Sequence, residues 1–142
     1  MISQKVARTN GILITTADFD RLRGLLRSER RQMQAPFLEA LQNELDRSTV
    51  VSTEAVPKGV VTMHSRVRVR DLMEGETDIY TLVYPDQADI NENKLSVLAP
   101  LGMALLGTRA GQIVKFDAPA GRRRLKIEKI LYQPEASRDF HL

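Results

Sequence analysis

SRVRVRDLMEGETDIYTLVYP, residues 65–85, is the stretch on which the fold turns. In RVRVR (66–70) apolar and basic residues alternate strictly. Val67 and Val69 therefore point to one face of a strand, and Arg66, Arg68 and Arg70 to the other. Glu74-Gly75-Glu76 supplies a turn, and ETDIYTLVYP (76–85) is rich in β-branched and aromatic residues. The spacing predicts a β-hairpin.

Reading on toward the C-terminus, DQADINEN (86–93) is a loop and KLSVLAP (94–100) a strand stopped by proline. LGMALLG (101–107) is a short helix closed by Gly107, the residue type suited to the left-handed conformation at a helix end. GQIVKFDAP (111–119) is a strand, AG (120–121) a turn, and RRRLKIEKILY (122–132) the last strand. In that strand Leu125 and Ile127 share one phase, Ile130 and Tyr132 the other, and a bulge near Lys129 reconciles them.

Reading back toward the N-terminus, the period changes from 2 to 3.6. Thr15, Thr16 and Asp18 are N-cap types, and Phe19, Leu22, Leu25 and Leu26 follow at helical spacing. This predicts a helix from about Asp18 to Arg31, roughly 21 Å long. Gly24 weakens it by about 1 kcal/mol. Pro36 suits the first turn of a second helix, whose stripe is Phe37, Leu38, Leu41 and Leu45 and which ends near Arg47. Two short helices with a short connection make an antiparallel hairpin. STEAVPKGV (52–60) reads as a linker. The expected organisation is an N-terminal extension (1–15, with the apolar run Ile12-Leu13-Ile14), an arm (16–50), a linker (51–60), a β-rich domain (61–135) and a tail (136–142). Helices first and strands later argue α+β in two parts.

The 142 residues contain no cysteine, which excludes disulfides, thiolate catalysis and Cys-based metal sites. No apolar run approaches the ~20 residues of a membrane span, and no secretory h-region opens the chain, so a cytoplasmic protein is expected. The net charge of +3 favours an acidic partner only mildly. Gly102 to Thr108 echoes the phosphate loop G-x-x-x-x-G-K-[ST], but Thr108 takes the lysine position and the filling, Met-Ala-Leu-Leu, is that of a helical turn facing a core. His64, placed in a strand-like segment, and His141 have no metal spacing. The 86–93 loop does not match a calcium loop, and no serine sits in a nucleophile elbow. No catalytic residue, metal or cofactor is expected. Basic clusters occur at Arg27/Arg30/Arg31, at Arg66/Arg68/Arg70 and at Arg122–Arg124, with few interleaved aromatics. Direct nucleic-acid contact through them is expected to be weak and salt-dependent.

The blocks Val61 to Val67, Tyr80 to Val83, Asp86 to Asp89 and Pro100 to Gly107 follow an order that resembles the C-terminal domain of the Gre transcript-cleavage factors. That family runs V-x-x-G-S-x-V, Y-x-x-V, D-E-A-D, then S-P-x-x-x-A-L-[LI]-G. LVYP, LSVLAPLGMALLG, ALQNELDRSTVV and YQPEA look closer still to the nucleoside diphosphate kinase regulator (Rnk) family, a short-armed Gre relative. The resemblance implies an FKBP-like C-terminal domain, an N-terminal coiled-coil arm, and docking to bacterial RNA polymerase at its secondary channel. It places the docking surface at Ala99, Pro100, Leu101 and Gly102, with Ala99 where the family has serine. Gre factors deliver two acidic side chains at the arm tip to a catalytic metal. The tip here, RSERRQMQAP (27–36), holds one acid, Glu29, among Arg27, Arg30 and Arg31. The expectation is a polymerase-binding regulator that competes with Gre factors and lacks cleavage activity. The alternatives are a direct or indirect regulator of nucleoside diphosphate kinase, and an active cleavage factor. An FKBP-type isomerase is disfavoured by an aromatic content of 5%.

Overall fold

The computed structural model describes residues 12–28 and 35–139, with backbone alone for 35–38. The chain divides at Val56/Pro57 into two units.

In the first unit, strand β1 (Leu13–Thr15) leads directly into helix α1 (Thr16–Ser28). Helix α2 (Ala35–Asp46) follows, then strand β2 (Thr49–Val51). β1 and β2 pair in parallel, with Ile14 opposite Val50. The N-terminal extension expected over 1–15 thus contains a strand, because Ile14 gains a fully buried site. Helix α1 begins two residues before the expected Asp18. Thr15 is its cap, and its Oγ1 accepts the backbone N–H of Asp18 at 3.1 Å. Leu22, Leu26, Leu41 and Leu45 are buried, as their spacing predicts. α1 and α2 contact one another. Residues 52–60, expected as a linker, form a 3-10 turn at Thr53–Ala55 and bury Val56 and Val60.

The second unit is built on a five-stranded sheet in the order β5-β4-β3-β7-β6. The strands are β3 (Arg66–Asp71), β4 (Thr77–Val83), β5 (Lys94–Ser96), β6 (Ile113–Ala118) and β7 (Gly121–Tyr132). The β3/β4 hairpin turns on Asp71, whose Oδ1 accepts the N–H groups of Met73 and Glu74, and on Gly75 at φ 77°. The strand expected over 94–100 stops at Ser96 and runs parallel to β4. Ser96 ends it: its hydroxyl accepts the Leu98 N–H and its carbonyl the Ala99 N–H. The β6/β7 turn is Pro119-Ala120, one residue earlier than expected, with Gly121 at φ 127° opening β7. Against β3, the register of β7 shifts twice, leaving Glu128 and Leu131 as extra residues on either side of Lys129. Two bulges therefore do the work expected of one. They keep Ile127 opposite Val69 and Ile130 opposite Val67.

Helix α3 (Pro100–Leu105) contacts β5 and β6. With Leu82, Val97 and the inner residues Val67, Val69, Val114, Leu125 and Ile127, its Leu101 and Leu105 make the core. His64, expected in a strand-like segment, instead occupies the left-handed region at φ 69° just before β3. The chain after β7 is held by Gln133, whose Nε2 donates to the carbonyls of Pro57 and Val60 at 2.8 and 2.7 Å. His141 lies outside the described residues.

Candidate functional site

The segment 96–108 is fastened at both ends. Pro100 sits in the first turn of α3, where its missing N–H costs nothing. Gly107, at φ 77°, donates to the carbonyl of Val61, and Val61 donates to that of Thr108, both at 2.8 Å. Gly102 lies directly against β5: a Cβ there would fall 2.0 Å from the Ser96 carbonyl oxygen. Only glycine permits that approach. This also disposes of the phosphate-loop echo, since Gly102 faces a backbone carbonyl, an acceptor that an anion avoids.

Of the four expected docking residues, Pro100 is exposed and Ala99 half-buried. Leu101 is 8% exposed and Gly102 is buried. Leu101 and Gly102 therefore shape the surface from beneath and do not line it. At the other expected site, Arg27 is exposed in the last turn of α1. It borders a groove of about 400 Å³ with Phe19, Arg23, Leu26, Gln42 and Asp46. Glu29, Arg30 and Arg31 lie outside the described residues.

Other features had no signal in the sequence taken linearly. His64 Nε2 and Gln87 Oε1 are 3.0 Å apart, and the imidazole meets Tyr84 edge-on at 5.6 Å. The glycine of V-x-x-G-S-x-V falls on this residue, so a side chain occupies a conformation that glycine takes without cost. His64 borders an open cleft of about 390 Å³ with Arg66, Thr81, Gln87, Lys94 and Tyr132. The Tyr132 hydroxyl donates to Asp139, and that bond, aided by burial, pushes its pKa up to about 12. Behind the cleft, Thr62 bonds both Ser65 and Glu135, tying the chain before β3 to the segment after β7.

The second cluster, Arg66/Arg68/Arg70, is exposed on the outer face of the sheet. Glu128, displaced by its bulge, accepts from Arg68 Nε at 3.2 Å and from Arg70 Nε. The Arg70 bond, with the Arg68 guanidinium beside it, holds the Glu128 carboxyl below its usual range. Asp71 is held low as well, first by the Met73 N–H and then by Arg123, the buried-side member of the third cluster. Among the described residues no three metal-ligating side chains converge. No helix among them is long and apolar enough to cross a membrane.

Comparison with known proteins agrees with this architecture. Residues 56–132 match the family "Transcription elongation factor, GreA/GreB, C-term", and residues 11–51 match "Rnk N-terminus". The chain is 40% identical over 132 residues to the Regulator of nucleoside diphosphate kinase of Escherichia coli K12, covering 92% of this chain and 96% of that one. It is 31% identical over 129 residues to Transcription elongation factor GreA of Nitratidesulfovibrio vulgaris, covering 91% of this chain and 78% of that one. Its fold superposes on a prokaryotic transcription elongation factor GreA/GreB from Nitrosomonas europaea with a TM-score of 0.73 at 38% identity, over 85% of this chain and 99% of that one. An Rnk N-terminus joined to a Gre-type C-terminal half, in one chain and in that order, makes this protein a member of the Rnk branch of the GreA/GreB family.

Proposed function

We propose that this chain docks on bacterial RNA polymerase at the mouth of the secondary channel and regulates transcription without stimulating transcript cleavage. The observation that carries the reading is the Pro100 corner. An exposed proline stands at the start of a helix whose backbone is fastened to β5 through Gly102 and to Val61 through Gly107. Relatives named transcription elongation factors support the partner. On this reading α1 and α2 form a short antiparallel arm (16–50), and residues 61–135 form an FKBP-like docking domain.

The arm supports occupancy without chemistry. α1 has 13 residues and α2 has 12, so neither exceeds about 20 Å at the α-helical rise. Positioning a catalytic divalent cation requires converging carboxylates at the tip. The tip sequence supplies Glu29 alone, among Arg27, Arg30 and Arg31.

The test is co-purification with core polymerase, with and without a competing cleavage factor, together with a stalled-complex cleavage assay. Pro100→Asp is expected to weaken polymerase binding about tenfold, roughly 1.4 kcal/mol, with an unchanged circular dichroism spectrum. Unchanged affinity would move docking elsewhere, and strong cleavage at near-stoichiometric protein would restore the active-factor reading. The name of the E. coli relative supports a second reading, regulation of nucleoside diphosphate kinase. Capture of the kinase by this chain in the absence of polymerase would favour it.

A further inference from the structure

The five-stranded sheet has two edges, and the chain closes one of them. β5 has three residues. Its first, Lys94, exchanges both backbone hydrogen bonds with Asp89, and the carbonyl of its last, Ser96, accepts the Ala99 N–H. Short strands and covering loops are how a sheet shields an edge. β6, at the other edge, has six residues and neither device. Its register against β7 is unbroken from Ile113 to Ala118, and it contains no proline. Both ends of the strand fix the direction of its open groups. The Gln112 carbonyl accepts the Ile127 N–H, and the turn closes on the pair Ala118/Gly121. Backbone groups alternate in direction along a strand. Val114, Phe116 and Ala118 therefore bond to β7, and Ile113, Lys115 and Asp117 turn their N–H and C=O groups outward. All three are exposed. Among the described residues no backbone group outside β7 bonds to them.

We infer that β6 pairs antiparallel with β6 of a second copy of this chain, about a two-fold axis through Phe116. The argument is charge complementarity. In a homotypic antiparallel pair the position of the axis fixes every opposite. An axis at Lys115 sets lysine against lysine, and one at Asp117 sets aspartate against aspartate. An axis at Val114 leaves Lys115 against Ile113 and carries Asp117 beyond the strand, to Gly111. With the axis at Phe116, Lys115 of each copy stands opposite Asp117 of the other. That register also satisfies direction: Lys115 and Asp117 are both outward residues, so each opposed pair exchanges two N–H···O bonds. The two Phe116 side chains meet between those pairs, at the closer non-bonded spacing, on the face where Phe116 is half-buried. Ile113, 52% exposed in the single chain, comes to lie opposite the partner's Pro119. Within one chain Lys115 faces Arg124 across the ladder, and the second copy gives it a carboxylate. Arg122 engages Asp117 at Oδ1, so Oδ2 can receive that lysine. A lone lysine on an edge strand discourages pairing, and Asp117 two residues on converts it into half of a match. The inference concerns the chain alone and does not depend on polymerase docking.

The test is sedimentation equilibrium of the full chain from about 10 μM to about 1 mM, the range in which a small interface dissociates. A monomer–dimer equilibrium is expected, with hydrogen exchange at the Lys115 and Asp117 amides slowing as concentration rises. Lys115→Asp and Asp117→Lys each set like charges opposite one another, and each alone is expected to weaken self-association at least about tenfold. Mixed in equal amounts, the two variants should associate as the parent does, since every opposed pair is again of opposite sign. Lys115→Pro removes an outward N–H, which an edge strand tolerates. It should keep the parental circular dichroism spectrum and remain monomeric. Four results would each overturn the inference: a parent that is monomeric at the highest concentration, single charge variants that associate as the parent does, charge variants that fail to associate when mixed, or a dimer that survives Lys115→Pro.

Discussion

The two faces of β3 and β7 arise from one alternation and obey opposite rules. On the inner face Val67, Val69 and Ile127 are at most 1% exposed and pair apolar with apolar. On the outer face Arg68, Arg70, Lys126 and Lys129 pair cation with cation. The inner face is what folding requires. The outer face is what folding tolerates, and a local arrangement that opposes stability is where function is to be sought.

The sharpest way to break this contrast is to truncate each face in turn. Ile127→Ala is expected to cost about 2–5 kcal/mol in urea unfolding, the loss of transfer energy plus a cavity. Lys126→Gln alone should cost nothing and add a few tenths of a kcal/mol. Equal losses would mean that the outer cations are structural. Gly102→Ala should cost about 1–3 kcal/mol by overpacking, because the added methyl meets backbone and not a yielding side chain. Gly24→Ala, in open space on an exposed turn of α1, should instead gain about 0.4–1 kcal/mol. The smallest effect is in acid. Glu128 and Asp71 both titrate below their ordinary values when folded. Their stabilising contribution is therefore complete above the ordinary carboxylate range and is lost as pH falls through the lowered folded values. Glu128→Gln should shallow the decline of melting temperature below about pH 4 without abolishing it, since Asp71 remains. An unchanged acid limb would show that the bulge places Glu128 without using its charge.

The legible part of the fold was the part written in periods. Alternation located β3, β-branched and aromatic content located β4, the leucine stripe located the buried sides of α1 and α2, and the phase break in β7 announced a bulge. The illegible part depends on register between distant segments. β1 and β2 are three residues each and pair across both helices, so neither carries enough pattern to declare itself. β5 stops at Ser96 because the Ser96 hydroxyl and carbonyl accept the following amides, a local competition that apolar periodicity does not record. The like-charge pairs are invisible until β7 is laid beside β3 and β6. At the Pro100 corner depth is the illegible part: Leu101 and Gly102 face inward, and the surface above them is Pro100 with Ala99.

The contact between Gly102 and the Ser96 carbonyl has one more consequence. With no side chain between them, helix α3 cannot slide or roll without carrying the end of β5 along. Pro100 is consequently displayed by the sheet and not by a loop, even though it lies just beyond a turn. A protein that engages it meets a surface ordered in advance and forfeits little conformational entropy on arrival. On the proposed docking, such rigidity would lengthen the life of a small contact, so a short helix of six residues would retain a partner that a mobile loop of the same composition would release.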